Sequence, residues 1–390
     1  MKKHVCMIGY CSYKIDARIR REAETLAAHP HFSVTVIVPK EESTRQTYLL
    51  EGVRVVEVNA RKYRGSSAFS YLLSWLTFLL LSLIQCTKAF LQREADIVHV
   101  HNMPDFLVFS AILPRLSGKR LVLDIHDTVP ETYGAKFDSD SRLLFRITCL
   151  EEAFSSRLAN RIIAVNHVQR DTLIGRGIPA QKIFVSMNVP DSRIFSTCVE
   201  QGPNTNASLN FRMVYHGTIT ERLGIDLALE SFSSFVRVVP KAEFHIWGAG
   251  EYLQRCIELS GSLGLEHKVF FHSLVPVDRV PEALKGMHLG VVANRKSKAT
   301  ELMLPVKLLE YMALGIPVVA PRLKTIEHYF ENGMVTLFEP GDAGSLTEAM
   351  LALHGDPERR KRQVELGKAF LDRHGWHIKK EEFLRFYSGL

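Results

Sequence analysis

Residues 301–320, ELMLPVKLLEYMALGIPVVA, concentrate more chemistry than any other stretch of this chain. Pro305 suits the first turn of a helix, where its missing N–H is no loss, and Gly315 is a natural helix stop. A spacing of three residues places Lys307 and Glu310 on one face of that helix, in its first turns. Helix N-termini attract phosphate, and a carboxylate nearby can accept hydrogen bonds from ribose hydroxyls. The pattern predicts a sugar-phosphate site, although an amphipathic helix with an i,i+3 ion pair has the same spacing.

Other polar residues stand where a ligand could reach them. His126 and Asp127 directly follow a predicted strand at 121–125, and a histidine at a strand end can hydrogen-bond a sugar, although it can equally serve its own loop. The triplet Asp138-Ser-Asp140 has the spelling of a metal motif. It falls in a polar loop before a helix, where Asp and Ser act as caps or turn formers, so the sequence predicts no metal site.

The composition is that of a globular protein with large cores: 390 residues, 46% of them hydrophobic, with 24 Gly and 16 Pro. This length favours two or three domains. The six cysteines are scattered without a CxxC pair, which argues against a zinc site or disulfide framework and favours a reducing cytoplasm. The apolar run after the N-terminal basic pair is only about five residues long, which makes a cleavable signal unexpected. Lys and Arg are spread along the chain without a nucleic-acid motif, so no nucleic-acid partner is expected.

Two series of short apolar runs alternate with helical stretches, as in doubly wound α/β domains. The first series predicts strands at 5–8, 34–38, 53–58, 97–100, 121–125 and 162–165. The second predicts strands at 213–216, 244–247, 269–271, 289–292, 317–320 and 335–338. A polar segment at 198–210 is predicted as the linker. The prediction is therefore an α/β chain with Rossmann-like domains at 1–200 and 205–375 facing across a cleft, and a final helix at about 376–390 packing back on the first domain.

With these two domains and the 301–320 segment, the chain resembles the GT-B glycosyltransferases, and within them the retaining glycosyltransferase family 4. The resemblance covers nearly the whole chain. Members carry a Glu-x7-Glu element ending in a helix, followed by a Gly-x-Pro-Val-Val strand, and the second glutamate matches Glu310. Glu301 stands one residue further away than the first glutamate of that pattern. The Leu-Pro-x-Lys-Leu-x-Glu-Tyr version found here is similar to members that build bacterial surface polysaccharides.

The resemblance implies where a nucleotide-diphosphate sugar binds. The segment YHGTITERLGIDLALESF matches the place where the family holds the donor pyrophosphate, and it leaves Arg222 as the nearest cation. Arg222 and Lys307 are therefore expected to offset the charge of the leaving diphosphate. Backbone groups at 273–275 are expected to hold the base. The implied donor-binding residues are Gly217, Thr218, Arg222, Gly248, Ser273, Leu274, Val275, Glu301, Leu304, Lys307, Leu309 and Glu310.

The resemblance also implies an acceptor site in the first domain. The family commonly has His-Asp close to the anomeric carbon, which His126 and Asp127 match, and these two are expected to be catalytic together with Arg222 and Lys307. The segment GYCSYKIDARIRREAETLA is similar to the start of several branches and places Asp16 and Arg18 at the mouth of the cleft. Asp16 is also the natural N-cap of the helix that follows, and both roles can hold together.

The chemistry implied by the resemblance is metal-independent transfer of a hexose-type sugar with retained anomeric configuration. The acceptor attacks from the front face and the leaving phosphate helps to take its proton, so no protein nucleophile and no cofactor is needed. The acceptor is a saccharide or a lipid-linked saccharide of cell-surface polysaccharide synthesis. The alternative within the fold is a sugar-nucleotide epimerase or a polysaccharide phosphorylase.

The segment 65–87 carries no charge and is flanked by basic residues at 61–64 and by Lys88. Its length would allow a membrane span, but a crossing would separate strands that are expected in one sheet. Two alternatives remain: a helix buried in the domain, or a helix whose Trp75 and Phe78 side rests in lipid. The net charge of +7 suits an anionic membrane or a lipid diphosphate acceptor. We expect a cytoplasmic protein that can bind peripherally to the inner face of the cell membrane.

Overall fold

The computed structural model describes residues 2–41, 47–63, 65, 67–136, 141–195, 210–330 and 333–390. The chain forms two compact units, Met1–Asn188 with Lys379–Leu390, and Val189–Ile378. The first unit therefore ends before the expected boundary at residue 200. The predicted linker at 198–210 lies outside the described residues except for Asn210, and so do Asp138, Asp140 and Arg64.

The first unit is a parallel sheet with helices on both faces. Its strands are β1 (Lys3–Gly9), β2 (Phe32–Pro39), β3 (Thr47–Leu50), β4 (Val53–Val58), β5 (Ile97–His101), β6 (Arg120–Ile125), β7 (Arg161–Ala164) and β8 (Ile183–Val185). Its helices are α1 (Ala17–Ala27), α2 (Ala68–Leu91), α3 (Ile112–Leu116), α4 (Val129–Lys136), α5 (Arg142–Leu158) and α6 (His167–Gly175), with 3-10 helices at Asp105–Ala111 and Ala180–Lys182. The sheet order is β3-β4-β2-β1-β5-β6-β7-β8, and neighbouring strands are parallel except β3 with β4.

The strands of this sheet are apolar because helices cover both of its faces. The β1 residues 5–8 are fully buried, and all six strands predicted for this domain are present. The sequence did not predict β3 or β8. Both lie at the edges of the sheet: β3 alternates exposed and half-buried residues, and the apolar run of β8 is only three residues long, too short to stand out as a strand.

The side of α2 that carries Trp75 and Phe78 faces the core. Trp75 is 6% exposed and packs against Tyr10, Phe106 and Tyr133, and Phe78 is fully buried. The alternative that placed Trp75 and Phe78 in lipid is therefore wrong. These aromatic rings fill the space between α2 and the sheet, and the opposite side of α2 is the exposed one.

The last helix, α16 (Trp376–Ser388), ends within the first unit. The Tyr387 hydroxyl lies 2.5 Å from Nδ1 of His99, and its ring packs edge-on against Phe32. Phe386 stacks on Phe184 of β8 with ring centroids 4.6 Å apart. The last helix thus packs aromatic rings against the N-terminal sheet, with Tyr387 fully buried and Phe386 half-buried.

The second unit is a six-stranded parallel sheet with helices around it. Its strands are β9 (Arg212–Thr218), β10 (Glu243–Ala249), β11 (Val269–His272), β12 (Leu289–Val291), β13 (Val318–Pro321) and β14 (Thr336–Phe338). Its helices are α7 (Ser192–Phe195), α8 (Ile225–Val238), α9 (Leu253–Ser262), α10 (Val280–Ala283), α11 (Lys298–Glu301), α12 (Val306–Ala313), α13 (Lys324–Tyr329), α14 (Ala343–Gly355) and α15 (Pro357–His374), with 3-10 helices at Glu221–Leu223 and Val277–Arg279. The order is β11-β10-β9-β12-β13-β14. All six predicted strands are present.

The helix predicted after Pro305 is confirmed as α12, and Gly315 lies just after it with φ of +67°. Tyr311 fixes this helix against the sheet. Its ring lies so close to Gly290 of β12 that a Cβ there would be 2.5 Å away, and its hydroxyl accepts a hydrogen bond from the His216 backbone N–H at 3.1 Å. These contacts place the start of α12 beside the carboxyl end of β9.

Candidate active site

Near its carboxyl end, β9 has an unusual backbone conformation at Gly217. The φ of Gly217 is +110°, a conformation that side chains other than glycine rarely adopt. Gly248 of β10 approaches it so closely that a Cβ on Gly248 would lie 2.1 Å from the Gly217 carbonyl oxygen. Both glycines therefore allow the ends of two central strands to meet, which is where ligands bind in open parallel sheets.

The amine of Lys307 lies beside Gly217. Its Nζ is 3.7 Å from the centroid of the Tyr215 ring and 3.5 Å from where a Cβ on Gly217 would stand. The Nζ atom is buried and has no hydrogen-bond partner among the described residues. The i,i+3 ion pair with Glu310 that the spacing allowed does not form. Instead the structure holds an amine whose three donors are left for a ligand.

Burial lowers the pKa of Lys307 to about 7, an effect that the Glu310 charge opposes and the Arg222 charge adds to. Nη1 of Arg222 and Oγ1 of Thr220 are also buried atoms that find no partner in the described parts of the chain. Burying two cationic side chains and a hydroxyl without hydrogen-bond partners costs free energy. A bound anion would supply those partners. The arrangement therefore suits a diphosphate, whose charge would pair with both cations.

Glu310 stands one turn along α12 from Lys307 and binds His216. Its Oε2 lies 2.7 Å from His216 Nε2, and the two side chains are 13% and 8% exposed. The Nδ1 atom of His216 is buried without a partner among the described residues. His216 was not singled out from the sequence, although it sits in the YHGT segment. This contact with His216 orients the Glu310 carboxylate.

Glu310→Gln is expected to weaken binding of a nucleotide diphosphate roughly tenfold, because a neutral amide replaces a charged acceptor. Isothermal titration calorimetry measures the affinity. Glu282→Gln, at a glutamate 74% exposed in the same unit, is the matched control. The melting temperature should stay nearly unchanged in both variants. An unchanged affinity in Glu310→Gln contradicts the role given to this carboxylate.

The remaining predicted donor residues occupy varied positions. Glu301 accepts a hydrogen bond from the Lys324 N–H at 2.8 Å and lies 3.4 Å from the Lys296 amine, so its carboxylate serves the start of α13. Leu309 is fully buried and Leu304 is 8% exposed, which leaves Leu309 only its main chain for a ligand. Thr218, Ser273 and Leu274 are exposed and Val275 is half-buried.

The first unit contains a buried charge cluster around Asp124 at the end of β6. Arg18 donates two hydrogen bonds to it, Nε to Oδ2 at 3.0 Å and Nη2 to Oδ1 at 2.9 Å. His126 Nε2 lies 3.2 Å from Asp124 Oδ2 and 3.0 Å from Nδ1 of His101. Burial favours the neutral form of Asp124, but the charges of Arg18 and His126 hold its pKa well below the usual range.

The side chain of Arg18 is turned into the first unit, so it is not the exposed cation that its predicted acceptor-binding role requires. The side chain is 3% exposed and pairs with Asp124 and with Glu22 at 3.3 Å. Its Nη1 donates to the Ser186 carbonyl. Arg18 lies on the buried side of α1, where the Asp124 carboxylate near the end of β6 accepts its hydrogen bonds. Asp16, in contrast, caps α1 through the Ile19 N–H at 3.0 Å, as expected, and is half-buried.

His126 and Asp127 are half-buried and are held in place by Asn102. The Asn102 side-chain oxygen accepts from the His126 N–H at 2.8 Å, and its amide donates to the Asp127 carbonyl at 2.7 Å. Burial lowers the pKa of His126, but the Asp124 charge and hydrogen bond more than offset this, so the net shift is upward. A positively charged imidazole can donate to a sugar hydroxyl. The sequence did not reveal Asn102 or Asp124, because neither belongs to the motif.

Glu22, His99, His101 and Asp124 offer ligand atoms within 4.8 Å of one another, all of them buried. Metal ions favour such clusters. Here the Arg18 guanidinium already pairs with both carboxylates and supplies positive charge. We therefore interpret the cluster as a structural ion pair that supports His126.

Comparisons with known proteins agree with this architecture. A family model described as Glycosyl transferase 4-like domain matches residues 15–188, and one described as Glycosyl transferases group 1 matches residues 203–370. Phosphatidyl-myo-inositol mannosyltransferase of Mycobacterium leprae (strain TN) is 33% identical over 82 residues, which are 21% of this chain and 22% of that relative. The chain thus matches less than a quarter of the length of this curated relative.

Two solved structures show the same fold. Sucrose-phosphate synthase from Thermosynechococcus elongatus gives a TM-score of 0.76 with 13% identity, over 99% of this chain and 98% of the other. HepE from Anabaena in complex with UDP gives 0.73 with 17% identity, over 100% of both chains. Two parallel-sheet units and these matches define a glycosyltransferase of the GT-B fold. The chain belongs to glycosyltransferase family 4, as its motifs predicted.

Proposed function

We propose that this chain is a metal-independent, retaining hexosyltransferase that uses a nucleotide-diphosphate sugar. The observation that carries the proposal is the Lys307 amine beside Gly217, which is buried without a hydrogen-bond partner among the described residues, with Arg222 close enough to lower its pKa. A diphosphate would satisfy both cations. Glu310 then faces the ribose, and backbone groups at 273–275 are left for the base.

In the proposed reaction the bond between the anomeric carbon and the diphosphate oxygen breaks while an acceptor hydroxyl bonds to that carbon on the same face. The hydroxyl proton passes to the departing phosphate oxygen. Lys307 and Arg222 stabilise the charge that develops on the diphosphate. His126 and Asp127 orient the acceptor and the donor sugar, and Asp124 and Asn102 hold His126 in place.

The acceptor is proposed to be a saccharide or lipid-linked saccharide of cell-surface polysaccharide synthesis, reached in the cytoplasm. One neighbour of similar fold, a lipopolysaccharide outer core galactosyltransferase, supports this acceptor class. HepE, another neighbour, was solved with UDP-glucose, which supports a nucleotide-sugar donor. Both matched family models are described as glycosyl transferases, which favours transfer over the epimerase or phosphorylase alternative.

The proposal is tested in two steps. A thermal-shift screen over UDP-, GDP- and dTDP-hexoses identifies the donor, because a ligand that binds only the folded state raises the melting temperature. The selected donor is then incubated with lipid-linked and free saccharide acceptors, with and without EDTA. We expect transfer with retained configuration that survives EDTA. Inversion of configuration or strict dependence on a divalent ion contradicts this mechanism.

Two control incubations separate the alternatives. An epimerase would convert the free donor without any acceptor, and a phosphorylase would need inorganic phosphate. Either result contradicts sugar transfer as the main activity.

A further inference from the structure

The outer side of α2 is an exposed apolar surface. Its exposed large residues are Phe69, Leu72, Leu73, Leu76, Leu80, Ile84 and Leu91, with exposures from 42% to 74%. The segment Phe69–Leu91 is long and apolar enough to cross a membrane by length and composition, and 22% of its most apolar window is buried. Because β4 before it and β5 after it lie in one sheet, α2 does not cross a bilayer. An apolar helix that lies along a protein surface instead needs a partner for its outer side.

Two neighbouring elements extend this surface. The 3-10 helix Asp105–Ala111 packs against both α2 and α5 and continues into α3. The connections from β4 to β5, β5 to β6 and β6 to β7 run in one direction along the sheet, and right-handed crossovers of one direction place their helices on one face. The exposed large apolar residues are Phe109 on the 3-10 helix, Leu113 and Leu116 on α3, and Leu143, Ile147, Leu150 and Phe154 on α5. We call this layer the three-helix face.

The fully exposed charged residues described on the three-helix face are basic. Residues 61–93 contain no Asp or Glu. Asp105 and Glu152 are 0% and 1% exposed, so their carboxylates lie inside, and Glu151 is half-buried. The exposed charged residues of this layer in the described parts of the chain are basic: Arg61, Lys62, Lys88, Arg93, Arg142, Arg146 and Arg157. On α5 the exposed side thus alternates arginines with large apolar residues.

We propose that the three-helix face docks on the surface of an anionic lipid bilayer. The apolar side chains enter the boundary between head groups and acyl chains, and the surrounding arginines and lysines pair with lipid phosphates. A second copy of this chain is the poorer occupant, because two such faces would bring like charges together. Docking is independent of the proposed sugar transfer. It would hold the first unit, with His126 and Asp127, at a surface that carries lipid-linked saccharides.

Vesicle flotation tests the lipid contact with the intact protein. The probes are phosphatidylcholine vesicles with and without about a third phosphatidylglycerol, at low and high salt. We expect binding to the anionic vesicles that weakens with salt. Since each basic residue near an anionic surface contributes about fivefold, the triple change Arg142→Ser, Arg146→Ser and Arg157→Ser should weaken binding about a hundredfold.

A matched control keeps the total charge change constant. Arg359→Ser, Lys361→Ser and Arg362→Ser remove three exposed basic residues from α15 in the second unit and should leave binding within about twofold. Leu73→Gln with Ile84→Gln removes apolar contacts from α2 and should weaken binding about tenfold or more, whereas Val238→Gln, at a valine 64% exposed in the second unit, should not. Circular dichroism establishes that each variant is folded.

Three results overturn the proposal. The protein could fail to float with anionic vesicles at low salt. The α15 triple variant could lose as much binding as the α5 triple variant, which would mean attraction by net charge alone. Sedimentation equilibrium could show a dimer that Leu73→Gln with Ile84→Gln dissociates without any vesicle binding, in which case a second copy covers the face.

Discussion

Lys307→Ala and Arg222→Ala are each expected to lower turnover about a hundredfold or more. Both side chains are placed to stabilise charge on the leaving diphosphate, and such contacts contribute about 3 kcal/mol each to the transition state. Turnover is measured with saturating nucleotide sugar and acceptor. Lys307→Met keeps most of the side-chain volume without its charge, so it should lose as much as Lys307→Ala. Turnover within threefold of the unchanged protein contradicts the assignment.

A second readout separates charge from packing. Lys307 has a pKa of about 7 in the free protein, so at pH 8 its amine is mostly neutral. A bound diphosphate favours the charged form, so binding should take up close to one proton. Calorimetry in two buffers of different ionisation enthalpy measures this uptake. Lys307→Ala should abolish it and Lys241→Ala, at an exposed lysine of the same unit, should not. If Lys307→Ala still takes up a proton on binding, a group other than Lys307 is protonated, which contradicts this prediction.

Arg18→Ala is expected to lower the free energy of unfolding of the first unit by about 3–5 kcal/mol, because it leaves the Asp124 carboxylate buried without its partner. Amide hydrogen exchange in β1 and β6 under increasing urea follows this unit alone. Arg20→Ala is the matched control on the same helix. Its partner is Glu24 at 2.9 Å, but Arg20 is 33% exposed, so a loss of roughly 1 kcal/mol or less is expected. Equal losses in the two variants contradict the structural role of the buried pair.

Much of this protein follows from local sequence. Strands of parallel sheets are buried on both faces, so twelve of them could be located from short apolar runs alone. The exceptions are β3, which alternates exposed and half-buried residues, and β8, whose apolar run is only three residues long. The position of α12 also follows from local signals, because Pro305 and Gly315 mark its ends. Because Pro305 marks the beginning of α12, the sequence also predicts that Lys307 and Glu310 lie in its first turns.

The partners of those residues depend on the tertiary structure. Spacing alone allowed an ion pair between Lys307 and Glu310. In the structure α12 packs against β9, so that Glu310 contacts His216 and the Lys307 amine lies over the Tyr215 ring. The resemblance placed Arg18 among the acceptor-binding residues, yet in the structure its guanidinium pairs inside the first unit with Asp124, which is far away in sequence. The same holds for α2, where Trp75 and Phe78 face the sheet and the leucines face outward. Local sequence determines which residues form an element, but the side that becomes buried depends on contacts between residues far apart in the chain, and only the folded structure contains them.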